Sequence, residues 1–429
     1  MKAKVRGDNL IPLDNSAVIY PPTVARYNTH VFSLSMDLKV EVVKERLLTA
    51  LETIIERFPY YGVSLHQGFF WYYFLPNKRP LEVYEQKGSP CNYIHPRKGA
   101  NRYLFKVYYT KHRIAVEFFH VLTDGTGGLI FLKSLVAEYL RLSGETVGED
   151  PQIFLADGKV DAREKEDSFE RFYKPLKSVF KSESGSFHLK RGSLTDGVQV
   201  LSGQLKVEEL KAISQKYGAT ITEYLVSELI WALQQLQDLK VKKAAKRRPI
   251  RVSVPVNIRR LYDSVTMRNF SLFVVIGIDP SLGFWSFEEI VEQVIHQLRG
   301  GVNAKALSKQ VARNVAGRRN FLIRYAPNAL KKPLMKLLSD SYGDRIYSTT
   351  FSNLGNVSLP EGMADIIKRL DFYLSPSKTN KVSCSAIGSG NTISLNFTSI
   401  FAKRTDFERI VFSSLVDKGV GVKLETNRK

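Results

Sequence analysis

The chain has 429 residues, 44% of them apolar (AVILMFWYC), too long for one ordinary domain and too apolar for a disordered chain, so two domains with their own cores are expected. Lys and Arg number 63 against 42 Asp and Glu, a net charge of +21, and the candidate anionic partners for such an excess are nucleic acid, an anionic membrane surface, and a phosphorylated cofactor or carrier. There is no apolar run of about 18 residues, no apolar stretch behind Met1–Arg6, and neither Cys91 nor Cys384 has disulfide or metal spacing, so a cytoplasmic, non-spanning chain is expected.

Taken in chain order, Leu47, Leu48, Leu51, Ile54, Ile55 and Phe58 recur at helical spacing, and Pro59 stops the helix. Strand-like aromatic segments follow at Gly68–Phe74, Tyr103–Tyr109 and Ile114–Phe119. In the last, Ile114, Val116 and Phe118 share one parity, and His120 continues it onto the buried face. A helix is expected over Leu129–Leu142. The periodicity then breaks into a polar stretch, giving an expected division into an N-terminal domain over 1–145, a linker over 146–190 and a C-terminal domain over 191–429. Part of 345–400 is expected to cross back to the N-terminal domain.

The second half opens with a helix at Val207–Tyr217 and another behind Thr220, where Glu223 completes a capping box. Helix, turn, helix is also a DNA-binding outline. Strands are expected at Ile250–Val256, Ser271–Ile278, Lys381–Ala386 and Thr392–Phe397, the last two joined by a hairpin at 388–391. The charge is concentrated here: nine cations and no acid lie between Lys240 and Arg260, and ten cations and no acid between Arg299 and Lys336. A solvated face, recognition of coenzyme phosphates and contact with an anionic membrane are the readings. For the last, the apolar residues from Ala304 to Leu338 interleave with cations as in an interfacial helix pair.

The motif that carries chemistry is His120, Val121, Leu122, Thr123, Asp124, Gly125, an HxxxDG at a strand end. A histidine fixed there by packing can accept a proton near neutral pH, and the glycines behind it let a ligand approach the backbone. Gly125, Thr126, Gly127 also resembles a nucleotide loop, but Ile130 stands where the third glycine of GxGxxG would fall. GxxxxGK[ST], GxSxG and HExxH are all absent from the sequence.

With this motif, and with Pro12–Asn15, Arg57–Tyr60, Pro255–Arg259, Asn269–Phe270 and Ser352–Gly355 in order along the chain, the sequence resembles the chloramphenicol-acetyltransferase-like superfamily of coenzyme-A-dependent acyltransferases. That superfamily includes condensation domains, plant BAHD acyltransferases, wax ester synthases and the bacterial alcohol acetyltransferases; the last group looks most similar. The resemblance implies an α/β pseudo-dimer of two domains, mixed sheets flanked by helices with an active-site tunnel between them. It implies transfer of an acyl group, acetyl first among them, from acyl-CoA to a small or lipophilic alcohol, with no metal and no permanently bound cofactor.

His120 matches the general base, Asp124 the carboxylate that pairs with an arginine, for which Arg259 is the candidate, and Gly125 the turn beside the site. Asn269, Ser352 and Asn353 are candidate oxyanion or tunnel residues. Many relatives carry a second histidine where Phe119 stands here, which weakens a condensation-type reading with an acyl carrier protein as donor more than it weakens simple acyl transfer. The remaining alternative is a non-catalytic basic binding protein. Nucleic acid is the disfavoured partner, and a monomer is the default.

Overall fold

A computed structural model describes residues 10–428 except 97, 99, 177–183, 191, 332, 334 and 336–342, and the backbone alone of 100, 322 and 323. Lys332, Leu334, Lys336, Leu337, Leu338 and the side chains of Leu322 and Ile323, all part of the expected interfacial pair, therefore lie outside the described residues.

The first half carries strands β1 (Ile11–Pro12), β2 (Val31–Leu38), β3 (Val63–Gln67), β4 (Tyr72–Pro76), β5 (Val83–Glu85), β6 (Phe105–Thr110) and β7 (Arg113–Phe119), with helices α1 (Lys44–Arg57) and α2 (Gly125–Leu142). The second half carries β8 (Leu194–Lys206), β9 (Ile250–Asn257), β10 (Ser271–Ile278), β11 (Thr349–Asn356), β12 (Ile367–Leu374), β13 (Val382–Ser389), β14 (Thr392–Phe401) and β15 (Val422–Thr426). Its long helices are α3 (Val207–Lys216), α4 (Ile221–Lys240), α5 (Phe287–Gly301), α6 (Ala304–Arg319) and α7 (Asp406–Asp417).

These strands make a five-stranded sheet, β12-β2-β7-β6-β5, a seven-stranded sheet, β10-β9-β11-β13-β14-β8-β15, and a small sheet, β1-β4-β3. Both large sheets are mixed, since β5 and β6, β9 and β11, and β11 and β13 run parallel while the other neighbours are antiparallel. Each large sheet has its own apolar core. The first gathers Leu34, Leu51, Phe118, Phe131 and Leu135; the second gathers Leu229, Leu233, Val252, Phe397 and Phe412.

Strand β12 comes from the second half of the chain yet pairs antiparallel with β2, Phe372 opposite Leu34. It is an edge strand, and its outward carbonyls are covered from the other sheet. Ser394 donates to Leu370 O, Ser385 and Asn396 to Phe372 O, and Thr398 to Leu374 O. An edge closed in this way cannot recruit another strand, and the two sheets are joined along it.

The stretch Gly68–Phe74 is not one strand. Residues 68–71 form the tip of the β3–β4 hairpin, where Gly68 N donates to Trp71 O at 2.8 Å and Gln67 pairs with Tyr72. Within 146–190, Glu164 is buried against Arg57, and Phe169 packs edge-on to Phe270. The helix-turn-helix outline is structural: α4 is buried along most of its length, and Glu223 at its start pairs with Arg299 of α5, so no recognition helix is presented to a groove. The apolar side of α6 is also engaged, because Leu307, Val311 and Val315 pack on Phe270 and Leu272. An α6 lying flat on a membrane is thereby overturned.

Candidate active site

The site forms where the two halves meet. His120 follows β7 directly, its amide donating to His30 O at 2.8 Å. Its ring lies between Tyr20, stacked at 4.7 Å, and Phe32, edge-on at 5.2 Å. Phe32 also stacks on Phe118, so the parity argument places the imidazole correctly against the packed face. It remains half-buried.

The orientation of the imidazole is set from the second half of the chain. His120 Nδ1 lies 2.9 Å from Asn269 Oδ1, and Asn269 Nδ2 lies 3.1 Å from Asp14 Oδ2. Asp14 is fully buried and accepts from Ala17 N through its other oxygen. A carboxylate can take only the NH2 end of the amide, so Asn269 must present its oxygen to the ring. Nδ1 then carries the proton, and Nε2 keeps its lone pair.

The loop behind the histidine is pinned by Asp124. Its carboxylate receives both Arg259 Nη atoms at 2.9 Å, Phe270 N at 2.9 Å and Gly127 N at 3.2 Å, the last as cap of α2. Arg259 also donates to the carbonyls of Thr266 and Arg268. Burial alone would raise the Asp124 carboxyl, but the guanidinium and the two amides outweigh it and hold the group below the usual carboxylate range.

The close backbone approach falls two residues beyond Gly125. A Cβ on Gly127 would stand 2.2 Å from Thr123 Oγ1 and 2.5 Å from Met267 O, whereas one on Gly125 meets Leu354 Cδ2 at 3.1 Å. Leu354 reaches the loop from β11 and Phe372 from β12, so segments from both halves of the chain wall the site.

The three candidates for oxyanion or tunnel roles separate. Asn269 is engaged at both ends by His120 and Asp14. Asn353 turns away, its amide donating to Thr222 at 3.0 Å and its oxygen accepting from Gly355 N. Ser352 lies buried on β11, ahead of a register irregularity between Asn353 and Asn356, and Leu354 beyond it is the β11 residue that meets Gly125.

Three contributors escaped the sequence reading. Asp14 was noticed only as part of a motif, and Tyr20 and His30 carried no signal. His30 holds a left-handed backbone, φ 51°, and its Nε2 pairs with Thr23 Oγ1 at 2.9 Å. Burial first, and the neighbouring His120 second, push the His30 pKa down to about 3, so it stays neutral beside the site. A positive-φ histidine is not visible in a sequence.

No family model matches the sequence, and no curated protein matches it. Solved structures do. The chain is similar to Fusarium sporotrichioides TRI101 in complex with coenzyme A and T-2, at 10% identity over 96% of this chain and 99% of that one, with a TM-score of 0.62. It is similar to the starter condensation domain of rhizomide synthetase in complex with C8-CoA and Leu-SNAC (11%, 96% and 94%, TM-score 0.59). It is also similar to TRI3 trichothecene 15-O-acetyltransferase from F. sporotrichioides (13%, 95% and 94%, TM-score 0.58). The fold is therefore the two-domain α/β fold of the chloramphenicol-acetyltransferase-like and condensation-domain structures.

Proposed function

We propose that the protein is an acyltransferase that moves an acyl group from acyl-CoA to an alcohol, with His120 as general base. The observation that carries this reading is the Asp14–Asn269–His120 chain, which leaves Nε2 free to accept a proton at the junction of the two halves. The acceptor hydroxyl gives its proton to Nε2 as its oxygen attacks the thioester carbonyl. The tetrahedral intermediate then collapses, the C–S bond breaks, and the proton passes from Nε2 to the leaving sulfur. No bond to the protein forms at any stage.

Asp124 and Arg259 do not touch the reacting atoms in this scheme; they fix the loop from which His120 projects. Ser352 is the candidate for a donor to the oxyanion, since both asparagines are engaged elsewhere. The apolar surroundings of Tyr20, Phe32 and Leu354 limit access of water, which would otherwise hydrolyse the thioester. Acyl-CoA enters as co-substrate, as the coenzyme complexes of the similar structures suggest. Carrier-bound thioesters are the second donor class, supported by the likeness to condensation domains.

Intact-mass measurement tests the direct route. The protein incubated with acetyl-CoA alone keeps its mass, and ester appears only when an alcohol is added. Accumulation of an acetylated protein that an alcohol then discharges would contradict direct attack.

A further inference from the structure

An exposed apolar cluster lies where the β3–β4 hairpin tip meets the segment after α6. Phe69 and Phe321 are each more than two-thirds exposed, at 71% and 72%, and Phe70, Tyr325 and Leu330 at 40%, 51% and 66%. Phe69 packs edge-on to Phe70 at 4.9 Å, Phe70 approaches Tyr325 at 6.3 Å, and Tyr325 packs on Phe321 at 4.8 Å. Four aromatic side chains in contact from two distant parts of a chain, with Leu330 exposed a few residues on, are not the scattered exposure expected of an ordinary surface.

Two further observations say what covers them. First, the carbonyls of the tip are already satisfied. Asn328 donates to the carbonyls of Gly68 and Phe69 at 2.8 Å, Lys331 Nζ donates to Phe70 O at 2.8 Å, and Trp71 O takes the amide of Gly68. All four tip carbonyls have protein partners, so the tip can leave water without stranding an acceptor in hydrocarbon. Second, the two segments carry no acid of their own: neither 63–76 nor 299–336 contains an Asp or Glu. Arg318 and Arg319 are paired with Asp167 and Glu170, and Arg324 stands exposed between Phe321 and Tyr325. Aromatic side chains over satisfied carbonyls, with an exposed Arg324 among them, suit the boundary between anionic headgroups and acyl chains.

We propose that Phe69, Phe70, Phe321, Tyr325 and Leu330 form a docking surface that inserts into an anionic lipid bilayer, with Arg324 at the headgroups. The proposal is independent of the acyl-transfer reading. It also differs from an interfacial α6, whose apolar side is buried, because the inserted groups come from a hairpin tip and from the residues behind that helix.

The test is co-sedimentation of the full chain with phosphatidylcholine vesicles, with and without about one-third phosphatidylglycerol, at about 50 mM and about 500 mM salt. The chain is expected to sediment with the anionic vesicles at low salt and to be partly released at high salt. Phe69→Ser combined with Phe321→Ser lowers the partition coefficient about tenfold or more, and Arg324→Glu restricts the remaining binding further. Circular dichroism and thermal melting report that the variants are folded, and neither readout should change. A native chain that stays in solution with anionic vesicles at low salt overturns the proposal. So do folded Phe69 and Phe321 variants that sediment like the native chain, and binding only to an acidic protein.

Discussion

Asn269 Oδ1 meets His120 Nδ1 at 2.9 Å across 149 residues of sequence, and the relationship fixes which nitrogen of the imidazole is free. Asn269→Ala removes the acceptor without adding charge. We expect kcat to fall about 10- to 100-fold with KM for acyl-CoA nearly unchanged. Asp14→Asn tests the same chain more sharply. A second amide at position 14 lets Asn269 turn its NH2 to the ring, which favours a proton on Nε2, and a misplaced tautomer has cost as much as about 10⁴ in a catalytic triad. Steady-state kinetics, with 15N shifts of the imidazole as a direct report of the tautomer, check both.

Asp124 and Arg259 form a buried pair, and breaking it leaves an uncompensated charge. Asp124→Asn or Arg259→Met each lowers stability by about 3–5 kcal/mol, while the double variant costs less than the sum. The sign of the pH dependence follows from the shift. The folded Asp124 carboxyl lies below its unfolded value, so its contribution is present above about pH 4 and is lost as pH falls through the folded value. Urea titrations of native and Asp124→Asn protein should therefore converge toward acid.

Gly127→Ala and Gly125→Ala separate two kinds of glycine. At Gly127 the new methyl strikes Thr123 Oγ1 and the Met267 carbonyl, neither of which can retreat far, and a loss of about 1–3 kcal/mol or more is expected. At Gly125 the nearest atom is the end of the Leu354 side chain at 3.1 Å, which can shift by a few tenths of an ångström. Thermal denaturation should rank Gly127→Ala well below Gly125→Ala.

Glu117 gives a prediction at the alkaline side. It is buried in β7, with one oxygen accepting from Cys91 N at 2.7 Å and the other without a partner, and burial pushes its pKa up to about 8. A folded carboxyl raised above its unfolded value loses stability as pH climbs from the unfolded value, about 4.3, to the folded one. The melting temperature of Glu117→Gln relative to the native chain should rise from about pH 5 to about pH 8 and level off beyond it.

Much of the architecture was legible because its signals are local. The capping box at Thr220 and Glu223 forms as written, Ser271–Ile278 is a strand with the expected bounds, and the hairpin after β13 closes with Gly390 at φ 57°. Arg259 meets Asp124 where the resemblance put it. What was not legible is long-range. Nothing local announces that Asn269 meets His120, because that contact is completed by the buried Asp14 more than 250 residues away. The aromatic run Gly68–Phe74 has strand composition throughout, but the Gly68–Trp71 turn breaks it, and that turn is held by Asn328 and Lys331 from the far end of the chain. The basic clusters are partly neutralised in ways a charge count does not show: Arg247 pairs with nearby Asp238, while Arg299, Arg318 and Arg319 pair with Glu223, Asp167 and Glu170 from other parts of the sequence.

The most direct test of the central claim is acceptor-dependent thiol release from acetyl-CoA and longer acyl-CoAs, with a panel of short, medium and aromatic alcohols, comparing the native chain with His120→Ala. The account predicts release that needs both thioester and alcohol, ester formed in equal amount, and loss of at least about 10² in rate on His120→Ala in a protein that melts as the native one does. Equal rates for the two proteins would contradict it.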